Sequence, residues 1–188
     1  MKFLMQYVSL LVKGLKDSKT VQAVTAFIIS FLLLSFSPYS LTMVVTPSIP
    51  MGVYTKQPVG ELVRGQSYCI KIVRPEWLAE EISIPRKLIA CKNLIGLPGD
   101  KVITEKGVVS VISHVEEDVV GTKVDAIKEF KRVTAFKGVP INAPDINVTI
   151  PEGYYFFASE HEKGWDSRYI GLIKESELKS KVNLLYEF

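Results

Sequence analysis

The sequence predicts a mainly β, mostly antiparallel domain that follows a single membrane-spanning helix at the N-terminus. A long apolar segment without charges lies near the start of the chain. The rest of the 188 residues contains short runs of β-branched and aromatic residues, most of them bounded by glycine or proline. We therefore expect a cytoplasmic amphipathic segment at 1–19, a transmembrane helix at 20–38 and an extracytoplasmic β-rich domain at 39–188.

The predicted membrane helix is the charge-free apolar segment. No charged residue occurs between Lys19 and Lys56, and VQAVTAFIISFLLLSFS (21–37) is nearly all apolar. A helix that crosses a hydrocarbon core needs about 20 residues, and Pro38 is a natural place for it to end. Because lysines dominate the charges before this segment, the positive-inside rule predicts a cytoplasmic N-terminus, with everything after Pro38 outside.

Two alternative interpretations of this segment remain open. It could be a cleaved signal peptide, because Ser35 and Ser37 are small residues at the spacing of a cleavage site, or it could be a buried core helix. The first 16 residues are amphipathic and too short to span a bilayer. We expect them on the inner membrane surface or as a cytoplasmic extension of the helix.

Beyond residue 38, several runs have the composition of β-strands. These runs are SYCIKIV (67–73), RKLIACKNLIG (86–96), KVITEKGVVSVISHV (101–115), KEFKRVTAF (128–136), GYYFFAS (153–159) and KVNLLYEF (181–188). PEWLAEEIS (75–83) is the best helix candidate in this part of the chain, with Pro75 in its first turn.

Composition argues against two classes of function. The net charge is only +3, and the basic residues between Lys123 and Lys137 alternate with acidic ones, so nucleic acid is not an expected partner. Neither the two histidines nor the two cysteines stand at metal-ligand spacing. We therefore expect no metal and no cofactor.

A serine between two prolines is the first candidate functional residue. In TPSIPMGVY (46–54), Pro47 and Pro50 fix their own φ angles and bias the residues before them toward extended backbone. Ser48 is therefore held on stiff backbone. A simple turn explains the same nine residues, because proline, serine and glycine are common in turns.

Lys92 is the second candidate. Side chains alternate between the faces of a strand, so Lys92 shares a face with Leu88, Ala90 and Leu94. It is either a lysine at a sheet edge that reaches solvent, or a buried amine that is kept neutral and acts as a base. A neutral lysine can activate a serine, and Ser–Lys pairs are a known variant of the serine-hydrolase site.

Three motifs together resemble the signal peptidase I family of serine peptidases. TPSIPMGVY is followed, in the family's order, by KNLIGLPGDKV (92–102) and GWDSRYIG (164–171). The form TPS-x-P-x-G-x-Y resembles the TraF-type branch, which is linked to conjugative transfer and pilin processing. The resemblance implies a signal-peptidase-like antiparallel β catalytic domain on the periplasmic side of a bacterial cytoplasmic membrane.

The resemblance also assigns roles to single residues. Ser48 matches the nucleophile and Lys92 the general base. The Ser48 backbone N–H would donate to the oxyanion, and Thr46 stands where family members have a hydroxyl that supplies a second donor. A motif that supports the site is matched by Asp166, Ser167 and Arg168. A structural turn beside the site is matched by Gly96, Pro98, Gly99 and Asp100.

The chain departs from the family pattern just before the third motif. ASEHEKGW (158–165) stands where many members have G-D-N-R-D-N-S, and Gly164 replaces a serine that helps to orient the base. Water, Ser167 or a shifted neighbour could replace that serine. Asn93 stands where arginine is common, and His161 is an alternative but disfavoured base for Ser48.

The two cysteines leave two interpretations open. Outside the cytoplasm Cys69 and Cys91 could form a disulfide, or they could remain buried thiols. Cys91 alternates away from Lys92, so a bond there would not displace the base. TraF-type members often carry cysteines in this region, which favours the bond slightly.

The leading functional hypothesis is a membrane-anchored serine endopeptidase that cleaves secreted or pilin-type precursors, with small residues before the cut, through an acyl-enzyme. One alternative is a transpeptidase that cyclises a pilin through the same acyl-enzyme. Another is a non-catalytic anchored component of a conjugation or secretion apparatus. A self-cleaving regulator of the LexA type is disfavoured by the membrane segment. The expected partners are a precursor substrate, the lipid bilayer and the conjugative or secretion machinery.

Overall fold

The computed structural model describes residues 19–35, 40–80, 82, 84–114 and 125–188. The predicted amphipathic segment, up to residue 18, and the predicted helix end at Pro38 lie outside the described residues. The chain divides into two compact units, residues 1–38 and 39–188.

The apolar segment forms helix α1, Lys19–Ser35. Its 17 residues have a length of about 25 Å. Phe27, Ile28 and Ile29 are each more than half exposed on it. Within the described ranges, no helix combines the length and the apolarity that crossing a bilayer requires, so the transmembrane helix stays a prediction.

The second unit is mainly antiparallel β, as the composition predicts. Its strands are β1 (Ser40–Val44), β2 (Gly52–Gln57), β3 (Ser67–Val73), β4 (Lys87–Gly96), β5 (Lys101–Glu105), β6 (Val108–His114), β7 (Asp125–Lys131), β8 (Ala135–Phe136), β9 (Val139–Pro140), β10 (Asn147–Thr149), β11 (Tyr154–Ala158), β12 (Ile173–Lys174) and β13 (Leu178–Glu187). A short helix α2 (Ser167–Ile170) and a 3₁₀ turn (Glu175–Glu177) complete the described elements.

The main sheet has the strand order β1-β2-β13-β3-β4-β11-β12. A second sheet has the order β10-β5-β6-β7, and β8 pairs with β9. One apolar cluster of β3, β4 and β11 contains side chains that are all 0% exposed: Tyr68, Ile70, Ile72, Leu94 and Phe157. Each such side chain contributes roughly 1.5–3 kcal/mol by leaving water, so the strands around the site candidates are firmly held.

The helix predicted at 75–83 is wrong for the residues that the structure describes. Leu78 N–H donates to Pro75 O and Ile82 N–H to Ala79 O, which are single turns. The Arg74 guanidinium donates to the carbonyls of Leu78, Ala79 and Ile82, at 3.1, 2.6 and 2.8 Å. An arginine therefore satisfies carbonyl groups for which a helix would use its own amides.

Two predicted runs each contain more than one strand. The run at 101–115 is a hairpin of β5 and β6, because Lys106 and Gly107 both have positive φ, at 49° and 79°, and make a two-residue turn. The run at 128–136 contains the end of β7 and then β8. Strands β1 and β2 were not predicted, and the hairpin that they form carries Ser48 in its loop.

Candidate active site

Ser48 lies in the loop 45–51 that connects β1 to β2. Three contacts fix this loop. The Ile49 side chain is buried at 4% exposure in a cluster with Val44 and Tyr54, the Tyr54 hydroxyl donates to Pro50 O at 2.6 Å, and Phe188 N–H donates to Met51 O at 3.1 Å. The stiffness expected from the two prolines is therefore reinforced by packing.

Lys92 lies in the middle of β4, on the face predicted for it. Leu88, Ala90 and Leu94 belong to the apolar cluster on that face, and Lys92 itself is 2% exposed. In the antiparallel register it stands opposite Tyr68 of β3. The lysine is therefore buried, and it does not reach solvent in the way that the edge-strand interpretation requires.

The structure brings the two candidates into direct contact. Lys92 Nζ lies 2.6 Å from Ser48 Oγ, a hydrogen bond between residues that are 44 positions apart. Burial lowers the pKa of Lys92 to about 8; the charge of Asp166 raises it and that of Arg168 lowers it further. Among the described carboxylates, none pairs with Lys92. An amine in this setting can accept the proton of the hydroxyl that it contacts.

The groups assigned to the oxyanion lie beside this contact. Ser48 N–H donates to Thr46 O at 2.7 Å, an i to i−2 bond that closes a three-residue turn around Pro47. Thr46 is exposed, and its hydroxyl makes no hydrogen bond to any described residue. The Thr46 hydroxyl is thus available to a ligand, whereas the Ser48 amide has to exchange its partner before it can bind one.

Asp166 and Arg168 form a buried pair behind the site. Arg168 Nε and Nη2 each donate to the Asp166 carboxylate at 2.8 Å, and the two residues are 1% and 0% exposed. Arg168 Nη2 also donates to His161 O and Gly164 O. Ser167 Oγ accepts from Phe157 N–H at 3.0 Å. The motif therefore ties loop 159–166 to β11, and it does not touch Ser48.

A serine that the sequence analysis missed occupies the centre of this network. Ser159 is 0% exposed, and its hydroxyl donates to Asp166 Oδ2 at 3.0 Å. A Cβ atom on Gly164 would stand 1.9 Å from Ser159 Oγ. The volume that a side chain at 164 would need is thus filled by the hydroxyl of Ser159. Neither Ser159 nor Ser167 hydrogen-bonds to Lys92.

The predicted turn at 96–100 follows β4 and supports the lysine strand. Asp100 N–H donates to Leu97 O at 3.1 Å, and Gly99 has φ of 91°, as position i+2 of a type II turn requires. Asp100 is 5% exposed, and its carboxylate accepts both ends of the Arg64 guanidinium, at 2.7 and 3.1 Å. Arg64 was missed because its partner lies 36 positions away.

Cys69 and Cys91 form a disulfide. They stand directly opposite each other on β3 and β4, next to the pair of Tyr68 and Lys92. The bond therefore cross-links the two strands at the position adjacent to the lysine.

Two grooves meet at Ser48. One, of about 400 Å³, is lined by Met43 to Ser48 on one side and by Leu88 to Lys92 on the other, with His161, Lys163, Gly164 and Trp165 completing it. The other, of about 420 Å³, is lined by Pro47 to Met51 together with Asn93 and Glu160. His161 Nδ1 accepts from Lys163 N–H at 3.1 Å, and His161 makes no hydrogen bond to Ser48.

Comparison with known proteins matches residues 18–187 to a family described as signal peptidase, peptidase S26. A signal peptidase I from Enterococcus faecalis is similar in structure, with 18% identity, a TM-score of 0.36, and coverage of 66% of this chain and 99% of that one. No curated protein matches the sequence. Because the family match covers most of the chain, the family expected from the three motifs is confirmed: the chain belongs to the peptidase S26 signal peptidase family of serine peptidases.

Proposed function

We propose that this chain is a membrane-anchored endopeptidase in which Ser48 is the nucleophile and Lys92 is the general base. The observation that carries the proposal is the 2.6 Å contact between Lys92 Nζ and Ser48 Oγ. The lysine in this contact is buried and has its pKa lowered to about 8. A buried, unpaired lysine costs stability, so its position next to a serine calls for a chemical role.

The reaction follows from these two groups. Ser48 Oγ attacks the peptide carbonyl carbon while Lys92 Nζ takes its proton, and a tetrahedral intermediate forms. The C–N bond then breaks, Lys92 returns the proton to the leaving amine, and an acyl-enzyme ester remains. Water attacks this ester while Lys92 takes its proton, and the bond to Ser48 Oγ breaks as Lys92 returns the proton to Ser48 Oγ. The Thr46 hydroxyl and the Ser48 amide, once the amide has left Thr46 O, would stabilise the oxyanion.

The first groove favours an extended peptide as substrate. β1 is an outer strand of the sheet, and β11 pairs with β4 only from Asn93 onward. In the described part of the chain, β1 and the segment of β4 up to Lys92 therefore each have an edge without a partner strand. A peptide in the groove between them can hydrogen-bond to a strand edge along its backbone, and its carbonyl then passes Ser48. We expect small residues before the cut, of the Ala-X-Ala type.

We further propose that the chain belongs to the TraF-type branch of this family. It would act at the periplasmic face of the cytoplasmic membrane on a pilin or a secreted precursor. The form of TPSIPMGVY supports the branch. The charge-free stretch between Lys19 and Lys56 supports an anchor followed by a site close to the lipid. Loss of pilus assembly or conjugative transfer in cells that carry Ser48→Ala would support this assignment.

The test uses the full chain in detergent micelles and a synthetic precursor with an Ala-X-Ala site. Ser48→Ala and Lys92→Ala should each lower the cleavage rate by at least about 1,000-fold, because the two groups act as a unit. Ser40→Ala, in the same hairpin, and Lys87→Ala, in the same strand, are matched controls at exposed positions and should keep the wild-type rate.

Intact mass of the product separates the remaining hypotheses. A product lighter than the linear fragment by one water would identify cyclisation and hence a transpeptidase. If Ser48→Ala or Lys92→Ala is folded and cleaves at the wild-type rate, the assignment of that residue is wrong. A wild-type chain that leaves all such precursors intact would favour the non-catalytic component.

A further inference from the structure

A cavity separate from the two grooves at Ser48 lies next to the first of them, the groove of about 400 Å³. It measures about 270 Å³, and its walls come from the segment before β4, from the start of β4, from the region around β8 and β9, and from α2 and the loop that leads into it. Its lining is mostly aliphatic and aromatic, and it consists of Ile82, Ile84, Pro85, Leu88, Val133, Phe136, Ile141, Lys163, Trp165 and Tyr169. An engineered apolar cavity of about 150 Å³ binds benzene, so this one has room for a phenyl ring.

The cavity and the groove share part of their walls. Leu88, Lys163 and Trp165 line both. Leu88 stands four residues before Lys92 on the same face of β4, which is about 13 Å along the strand. A peptide that lies extended beside β4 with its carbonyl at Ser48 therefore brings a residue three to five positions from the scissile bond to the mouth of the cavity.

The aromatic wall of the cavity is held in place. The Trp165 ring stacks on Tyr169 with centroids 5.2 Å apart and an angle of 7°. The Tyr169 hydroxyl accepts from Val133 N–H at 2.9 Å and donates to Glu162 O at 3.1 Å. The Trp165 indole N–H, in contrast, is buried without a hydrogen-bond partner among the described residues.

We infer that this cavity is a substrate subsite that accepts one large apolar side chain, such as Phe or Leu, four or five residues before the scissile bond or three to five residues after it. The inference rests on the proposed function, because the occupant is the substrate itself. It adds to that function a specificity element remote from the small residues at the cut. The preformed aromatic wall means that little ordering entropy is lost when a ring enters.

The test compares peptides that share one Ala-X-Ala cleavage site. A single Phe is moved through the fourth and fifth positions before the cut and through the third to fifth positions after it, with Ala or Glu at the same position as references. We expect kcat/KM for Phe to exceed that for Ala by about 10-fold or more at one position. Peptide affinity for the Ser48→Ala chain, measured by fluorescence anisotropy, should show the same preference without any catalysis.

Filling the cavity should remove this preference. Ile141→Trp places a large side chain at a lining position, and Ile127→Trp is the matched change at a residue that is 60% exposed on β7. Ile141→Trp should lose the advantage of Phe over Ala, whereas Ile127→Trp should keep both that advantage and the wild-type rate on the Ala peptide. If the Ala peptide is cleaved but Phe brings no advantage at any position, or Glu is preferred, the subsite is overturned while the proposed function stands. If no peptide is cleaved, the proposed function fails first.

Discussion

Lys92 is a buried amine, and its ionisation should control the rate. Burial lowers its pKa to about 8, and only the neutral amine can accept the Ser48 proton. We therefore predict that kcat/KM rises with pH through a single ionisation near 8 and is level above it. Initial rates from about pH 6 to 10 would measure this. A flat profile, or a midpoint near the ordinary lysine value of about 10.4, would contradict the role of neutral base.

The same burial makes Lys92 costly for folding at neutral pH. The pKa of Lys92 is about 8 in the folded chain and about 10.4 in the unfolded chain. Between these pH values the unfolded chain holds a proton that the folded chain has lost, so the free energy of unfolding rises with pH. Lys92→Met removes a cost of up to about 3 kcal/mol at pH 7. It should raise Tm at pH 7 while abolishing cleavage, and this gain should shrink as the pH approaches 10. A variant that lowers Tm at pH 7 would argue against the penalty.

Gly164 and Ser159 should be energetically coupled, because a Cβ at 164 meets Ser159 Oγ at 1.9 Å. Gly164→Ala alone should destabilise the fold by about 1–3 kcal/mol through overpacking. Ser159→Ala alone should cost about 1 kcal/mol, since Asp166 keeps its other donors. The double variant should cost less than the sum of the two, as measured by urea unfolding. Strict additivity would show that the loop moves to accommodate the new methyl group.

Sequence reasoning predicted Ser48, Lys92 and the supporting motif at 166–168, but it missed Arg64 and Ser159. Alternation in β4 places Lys92 with Leu88 and Leu94, which is a local property that a strand preserves. The pairing of Arg64 with Asp100 and the central position of Ser159 depend on loops meeting in space, and no local pattern reports such a contact. The substitution at Gly164 was visible in the sequence, whereas the hydroxyl that fills its volume was visible only in the fold.

At the scale of elements, the disulfide joins β3 and β4 at a position where β4 has no pairing partner on its other side, because β11 pairs with β4 only from Asn93 onward. Its residues are 22 positions apart, and a closed loop of that size stabilises by roughly 3 kcal/mol. We predict that Cys69→Ala/Cys91→Ala lowers Tm by about 6–12 °C. Dithiothreitol should lower the wild-type Tm by a similar amount and leave the double variant unchanged. A wild-type Tm that does not respond to the reductant would mean that the bond adds no stability.

Strand composition predicted most of the longer strands, but it missed β1 and β2 and did not predict where strands end. In the run at 101–115, β-branched residues lie on both sides of a two-residue turn. Lysine is uncommon at positive φ, so only Gly107 of the pair Lys106 and Gly107 indicated the turn. The segment at 75–83 has helical residues, yet Arg74 binds its carbonyls from outside the segment. At 75–83, tertiary contacts outweighed the helix propensity of the segment. At 101–115, the residues of the turn were overlooked.

At the scale of the whole molecule, apolar side chains are exposed around the Ser48 hairpin. Leu41 and Met43 on β1 and Val45 directly after it are 69%, 62% and 65% exposed, and Tyr186 on β13 and Phe188 directly after it are 66% and 57% exposed. Contiguous exposed apolar surface typically marks an interaction site for a protein or a membrane. Met43 and Val45 also line the groove at Ser48, so the part of this surface left for a membrane contact is at Leu41, Tyr186 and Phe188.

The anchor itself can be tested through α1. Ile28 and Ile29 lie in the middle of the charge-free segment and are 51% and 52% exposed. An arginine at the centre of a membrane helix costs about 2.5–3.5 kcal/mol on insertion scales, so Ile28→Arg/Ile29→Arg should move the chain from the membrane fraction to the alkaline carbonate extract. Ile127→Arg, at an exposed position on β7, should leave it in the membrane.

Processing of a membrane-borne precursor gives this prediction a second readout. The double-arginine variant should lose most of its activity on that precursor but keep its rate on a short peptide in detergent, because the anchor raises effective concentration without touching Ser48 or Lys92. Retention in the carbonate pellet together with undiminished processing would exclude the segment as the anchor. The exposed apolar surface of the β unit would then be the remaining candidate for the membrane contact.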